Sequence, residues 1–203
     1  MIIVFSGLDG SGKSTHALKT KHYLLKKGHS TVYRHVVKSS ISESIAKGIN
    51  KISPKTKKGL EKKLRSNKKR HLLAWGKRIT LFFDIILFNL KYHQFKENKK
   101  AHIICDRYFY DELIQFKYLS LGLDFLFNIY NEIILKPDII FYLEVTPQTA
   151  FRRKPEYKFS YYTHKSKLYT KIKSLKSTIT IKSSGISPTQ KKIESALKNK
   201  LNQ

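Results

Sequence analysis

The 203-residue chain is long enough for one domain with a substantial core and short for two. Hydrophobic residues at 40% and aromatics at 12% exclude a disordered chain, and a single cysteine, Cys105, excludes a disulfide framework and a multi-cysteine zinc site. A formal charge of +27 suits an anionic partner; no nucleic-acid-binding motif accompanies it, so nucleic acid ranks below a phosphate-bearing small molecule, and a lysine-rich composition is the bland alternative to both.

Ile2 to Ser6 is a short apolar run ending at glycine, the pattern of a central parallel strand covered on both faces. It follows Met1 directly, with no charged leader or signal-length apolar region, and the expected location is the cytoplasm. From Ser14 to Lys27 apolar residues recur at helical spacing and Gly28 supplies a stop. Ser30 to Val37, rich in Val, Thr and Tyr, is a second strand. Residues 39 to 71 are Ser-rich and then basic, with nine Lys or Arg against one Glu between Lys55 and His71. Leu72 to Phe95 forms one long helix, and its apolar stretch Ile79 to Leu90 is short of the roughly twenty residues needed to span a bilayer, so it reads as a buried helix. Trp75 in this helix is assigned to the core.

Ala101 to Cys105 is a third strand, followed by Asp106-Arg107. Helices over Tyr110 to Leu121 and Leu123 to Leu135 hinge at Gly122, and Lys136-Pro137-Asp138 makes a turn. Ile139 to Val145 is a fourth strand, Pro147 can start a helix, Thr178 to Ile181 is a weaker fifth strand, and Pro188 to Leu201 a closing helix. Strands alternating with helices imply an α/β domain over 1–203, with a central five-stranded parallel sheet flanked by helices.

The chemistry concentrates in Gly7-Leu8-Asp9-Gly10-Ser11-Gly12-Lys13-Ser14-Thr15, which meets the pattern G-x-x-x-x-G-K-[ST] directly after a strand and before a helix. Glycines let the backbone N–H groups point inward at phosphate oxygens, and the positive end of the following helix adds to the field. Lys13 reaches the β- and γ-phosphates of a nucleoside triphosphate, and the Ser14 hydroxyl ligates Mg²⁺. ATP and Mg²⁺ are therefore the expected cofactors. Asp106-Arg107 ends a strand at the edge where open α/β sheets bind ligands. Asp106 is suited to hold a metal-bound water and Arg107 to neutralise a phosphate.

Together with Asp106-Arg107-Tyr108 and the stretch Tyr142 to Arg153, this loop resembles the thymidylate kinase family, over most of the chain and most loosely at 39 to 71 and in the C-terminal third. The resemblance implies a P-loop kinase fold with a short lid at 152–165, and transfer of the ATP γ-phosphoryl to a nucleoside monophosphate, dTMP in the family's own case. By matching position Asp9 would contact the acceptor sugar or assist at the metal, and Arg107 would hold the acceptor phosphate. Arg153 would be the lid arginine, with Arg152 and Lys154 as neighbours that could substitute. Arg78 is the looser candidate for an acceptor-binding arginine, solvent being its other destination. Tyr108, with Phe109 and Tyr110, could stack on a base or belong to the core. Helix-mediated dimerisation, usual in the family, makes Ile79 to Leu90 a candidate interface as well as a core helix.

Two departures stand out. The family commonly has Glu where this chain has Ser6, and a serine followed by Ala-Tyr-Gln where it has Asp111, Ile114, Gln115 and Phe116. Phe109-Tyr110-Asp111 and Arg153-Lys154-Pro155-Glu156 look closer to thymidylate kinase-like proteins of unsettled acceptor, which leaves another nucleotide, a nucleoside or a sugar as alternative acceptors. The non-enzyme alternative is a nucleotide-regulated protein whose basic stretches 55–71 and 96–100 grip nucleic acid or an anionic surface.

Overall fold

The computed structural model describes residues 1–36, 67–93, 101–119 and 124–201. Most of the basic segment 55–71, all of 96–100 and the Gly122 hinge lie outside them. Strands β1 (Ile2–Ser6), β2 (Ser30–Arg34), β3 (Ala101–Asp106), β4 (Ile139–Glu144) and β5 (Thr178–Lys182) form one parallel sheet in the order β2-β3-β1-β4-β5. β1 lies at the centre, with Phe5 level with Asp106 of β3 on one side and Phe141 of β4 on the other. Every β1 residue is buried, as a continuous apolar run demands.

The helices are α1 (Lys13–Lys26), α2 (Asn67–Tyr92), α3 (Phe109–Tyr118), α4 (Asp124–Ile133), α5 (Pro147–Arg153), α6 (Phe159–Leu168), α7 (Thr170–Lys173) and α8 (Ile186–Leu201). One face of the sheet packs Ile3, Phe5, Phe141 and Leu143 against Ala17 and Leu24 of α1 and Ile193 and Leu197 of α8. The other packs Val4, Cys105 and Tyr142 against α2, α3, α4 and the pair α6 and α7. Tyr108, Tyr162 and Tyr169 are wholly buried on this second side. Each places its hydroxyl on a partner: the Leu135 carbonyl at 2.6 Å, the Lys154 carbonyl, and Asp111 Oδ1 at 2.9 Å. A buried phenol needs such a partner, since an unmade bond costs about 1–3 kcal/mol.

Two expectations change. α2 is not a buried helix throughout: Leu81, Ile85, Phe88 and Tyr92 face the core, whereas Ile79, Phe83, Leu87 and Leu90 are exposed on the opposite side. Apolar residues on both faces hide the distinction from a periodicity count. Trp75 is 60% exposed, with the Arg78 guanidinium 5.1 Å from its ring centroid, and is no core residue. Within 152–165, the expected lid, α5 runs to Arg153 and α6 starts at Phe159, with 154–158 as the connection.

Candidate active site

Residues 7–12 turn from the end of β1 into α1. Gly10 sits at φ +85°, and a Cβ there would lie 2.5 Å from the Ala150 carbonyl oxygen of α5. A Cβ on Gly7 would lie 2.7 Å from the Leu143 carbonyl oxygen of β4. Glycine is required at both because the loop presses on backbone that cannot yield. Lys13 is buried, and its Nζ donates to the Leu8 carbonyl at 2.5 Å, with Ser11 Oγ at 3.5 Å. Burial first, and then the Arg107 charge, lower its pKa to about 7. Such an ammonium gains most from an arriving polyanion, which offsets both penalties.

Asp106, at the end of β3, accepts from Ser14 Oγ at 2.5 Å and from the Tyr33 hydroxyl at 2.9 Å, both on Oδ2. Oδ1 is buried and has no hydrogen-bond partner among the described residues. A buried carboxylate oxygen left unsatisfied beside an exposed serine hydroxyl is a hard-oxygen donor set, and it fits Mg²⁺. Tyr33, which no motif marks, fixes the carboxylate from β2. Among the described residues no cluster of three or more His, Cys, Asp or Glu could hold a metal. His16 bonds Gln190 Oε1 at 3.0 Å and is structural.

Arg107 has φ +68°, the left-handed region that a non-glycine residue enters at a cost of order 1–3 kcal/mol. Its guanidinium is tied down on both sides, by an ion pair with Asp9 Oδ1 and by Asp111 Oδ1 at 3.7 Å. Burial opposes the charge on Asp9, but Arg107, then Lys13 and Lys165, and the Tyr161 hydrogen bond together bring its pKa down to about 2. Asp111 is itself wholly enclosed: Oδ1 accepts from Ser6 Oγ and from the Tyr169 hydroxyl, each at 2.9 Å, and Oδ2 accepts from the Tyr108 amide at 3.1 Å. The two departures, Ser6 and Asp111, are thus bonded to each other.

Lys13, Ser14, Asp106, Arg107 and Asp9 are brought together at the carboxyl ends of β1 and β3. Leu8, Ser11 and Gly12 shape the loop, and Thr15 lies exposed at the start of α1. Three expected site residues stand apart. Tyr108 is a core residue whose ring meets Phe88 at 5.5 Å, so it offers no face to a base. Arg78 stacks on Trp75; burial raises the pKa of Glu112, beside the Arg107 cluster, and the α2 cation that acts against that rise is Lys77. Arg153 is exposed at the last position of α5. Sequence reasoning missed Tyr161, Lys165 and Tyr169, which reach the site from α6 and its end and carry no motif.

The family model for thymidylate kinase matches residues 5–198, nearly the whole chain. The chain belongs to the thymidylate kinase family. It is 32% identical to a probable thymidylate kinase of Methanocaldococcus jannaschii over 153 residues, covering 75% of this chain and 69% of that protein. A thymidylate kinase of Chlorobaculum parvum is 28% identical over 165 residues, covering 76% of this chain and 65% of the relative. The chain thus aligns with about two thirds of the length of these relatives. Among solved structures, the deoxyadenosine kinase from M. mycoides with bound dATP superposes with a TM-score of 0.60 at 17% identity, covering 98% of this chain and 99% of that one. That likeness concerns the fold, a P-loop kinase with five parallel strands. As a thymidylate kinase family member the chain is a nucleoside monophosphate kinase.

Proposed function

We propose that this thymidylate kinase family member transfers the γ-phosphoryl group of ATP to dTMP, giving dTDP and ADP, with Mg²⁺, in the cytoplasm. The observation that carries the reading is the pairing, at one sheet edge, of the Lys13 loop with an Arg107 held by Asp9 and Asp111. One half suits a triphosphate and the other a second phosphate. The attacking group is an oxygen of the acceptor phosphate, the bond broken is that between the γ-phosphorus and the bridging oxygen, and ADP leaves with the electron pair. No protein nucleophile is needed, because positioning and charge neutralisation supply the acceleration. Lys13 neutralises the transferred group, and Arg107 holds the acceptor phosphate in line. Arg153 and its neighbours Arg152 and Lys154, exposed at the end of α5, would close over the donor and exclude water. Ser14 and Asp106 would hold Mg²⁺, which would supply positive charge to neutralise the donor triphosphate. A cavity of about 600 Å³ at the carboxyl ends of β4 and β5, lined among others by Thr146, Thr149, Lys182 and Ser183, offers room for the donor nucleoside.

Incubation with ATP, Mg²⁺ and dTMP should yield dTDP. If dTMP is inert while another nucleotide, a nucleoside or a sugar reacts, the acceptor assignment is wrong and the donor assignment stands. Asp106→Asn is expected to raise the Mg²⁺ concentration for half-maximal rate about tenfold or more, with little change in the dTMP dependence, as titration of MgCl₂ at fixed nucleotide would show.

The exposed faces of α2 and α4 support a homodimer. Ile79, Phe83, Leu87 and Leu90, with Phe125 and Ile129, are more than half exposed. Apolar residues in that number at helical spacing fit a second copy presenting the same surface. Light scattering should return twice the chain mass, and Leu87→Lys should return the monomer.

A further inference from the structure

Lys165 is only 3% exposed, yet among the described residues it has no carboxylate within ion-pair distance. Its Nζ donates to the Tyr161 hydroxyl at 2.8 Å and sits 4.9 Å from the centroid of the same ring. Tyr161 in turn donates to Asp9 Oδ2 at 2.8 Å, while Asp9 Oδ1 holds Arg107. Direction matters here. An ammonium can only donate, so the phenol oxygen must accept from Lys165, and its single proton is left for Asp9. The ring has little freedom to do otherwise, stacked on Tyr157 at 4.2 Å and set edge-on to Tyr118 at 5.0 Å.

We propose that Lys165 is a positioning residue for the acceptor half of the site: through Tyr161 it fixes the Asp9 carboxylate, and through Asp9 the aim of Arg107. This rests on the reading of Arg107 as the acceptor-phosphate ligand. Burial, then the nearby Arg107 charge, lower the Lys165 pKa to about 8, and Asp9, Asp111 and Glu112 act against that fall. A buried cation so poorly compensated is costly, which argues for a use beyond packing. The arrangement also gives α6 a role distinct from that of a lid, since Tyr161 and Lys165 lie one helical turn apart on the face that meets the loop.

The test is a kinetic double-mutant cycle in the full chain with Lys165→Met, Tyr161→Phe and both together. Each single variant should raise the acceptor KM about tenfold while the ATP KM stays within about twofold. If Lys165 acts through Tyr161, the double variant should be no worse than the poorer single one. Lys165→Gln, whose amide NH₂ can still donate to the phenol oxygen, should recover part of what Lys165→Met loses. Effects that multiply in the double variant, equal rises in both KM values, or a fall in melting temperature without a KM effect would each overturn the proposal. A wild-type chain that phosphorylates none of the acceptors would instead remove the reading on which it rests, and the proposal with it.

Discussion

Lys13→Ala should lower kcat about 10³-fold while leaving the melting temperature unchanged or higher, the size being that of removing one preorganised electrostatic contact from a transition state. The asymmetry between activity and stability follows from the site itself. Lys13 is buried with a carbonyl and a hydroxyl as its hydrogen-bond partners and stands in the field of Arg107. Without phosphate, that ammonium is a liability to the fold. With phosphate, it is the group closest in kind to what the loop was built around, since the helix N-terminus and the loop amides already favour an anion there. Calorimetric melting and steady-state rates on the same preparation would separate the two. A variant that keeps its rate would mean the phosphates lie elsewhere, and one that melts early would mean the lysine holds the loop together.

The donor half of the site was legible in the sequence because its residues are consecutive. A nest of amides needs glycines at fixed offsets, and the helix that follows must begin at once, so Gly7 to Thr15 writes its geometry in one line. Asp106 and Arg107 were legible for a related reason, as polar residues ending an apolar strand. The sheet was legible from short apolar runs, and its five strands fell within a few residues of their expected bounds. Beyond Asp9 and Arg107 the acceptor half was not legible, because it is assembled from side chains far apart in the chain: Tyr161 meets Asp9 across 152 positions and Tyr169 meets Asp111 across 58. Tyr108 illustrates the converse error. Its place after Arg107 suggested a ligand contact, whereas the backbone turn that sends Arg107 to the loop sends Tyr108 into the core. The two faces of α2 were merged for want of any sequence signal separating core from exposed apolar residues.

Ser6 and Asp111 offer the sharpest test of the acceptor half. Taken singly each departs from the resembled family, which commonly has an acid before the first loop glycine and a serine after Asp-Arg-Tyr. Taken together they keep one acid and one hydroxyl at the two positions in exchanged order, and here the hydroxyl on β1 donates to the carboxylate on α3 at 2.9 Å across 105 positions. That carboxylate also receives Tyr169 and the Tyr108 amide and faces Arg107. Asp111→Ser therefore strands three donors and a buried guanidinium, and should cost about 3 kcal/mol. For a chain of this size that is a fall of roughly 6–12 °C in melting temperature. The acceptor KM should rise as well, because Arg107 loses one of its two anchors while its left-handed backbone remains. If the exchange is what matters, Ser6→Glu added to Asp111→Ser should recover at least half of the lost stability by returning an acid to the opposite side. Failure of the double variant to improve on Asp111→Ser would mean that the carboxylate is needed at α3 itself, as the group that caps Tyr108 and sets the start of that helix.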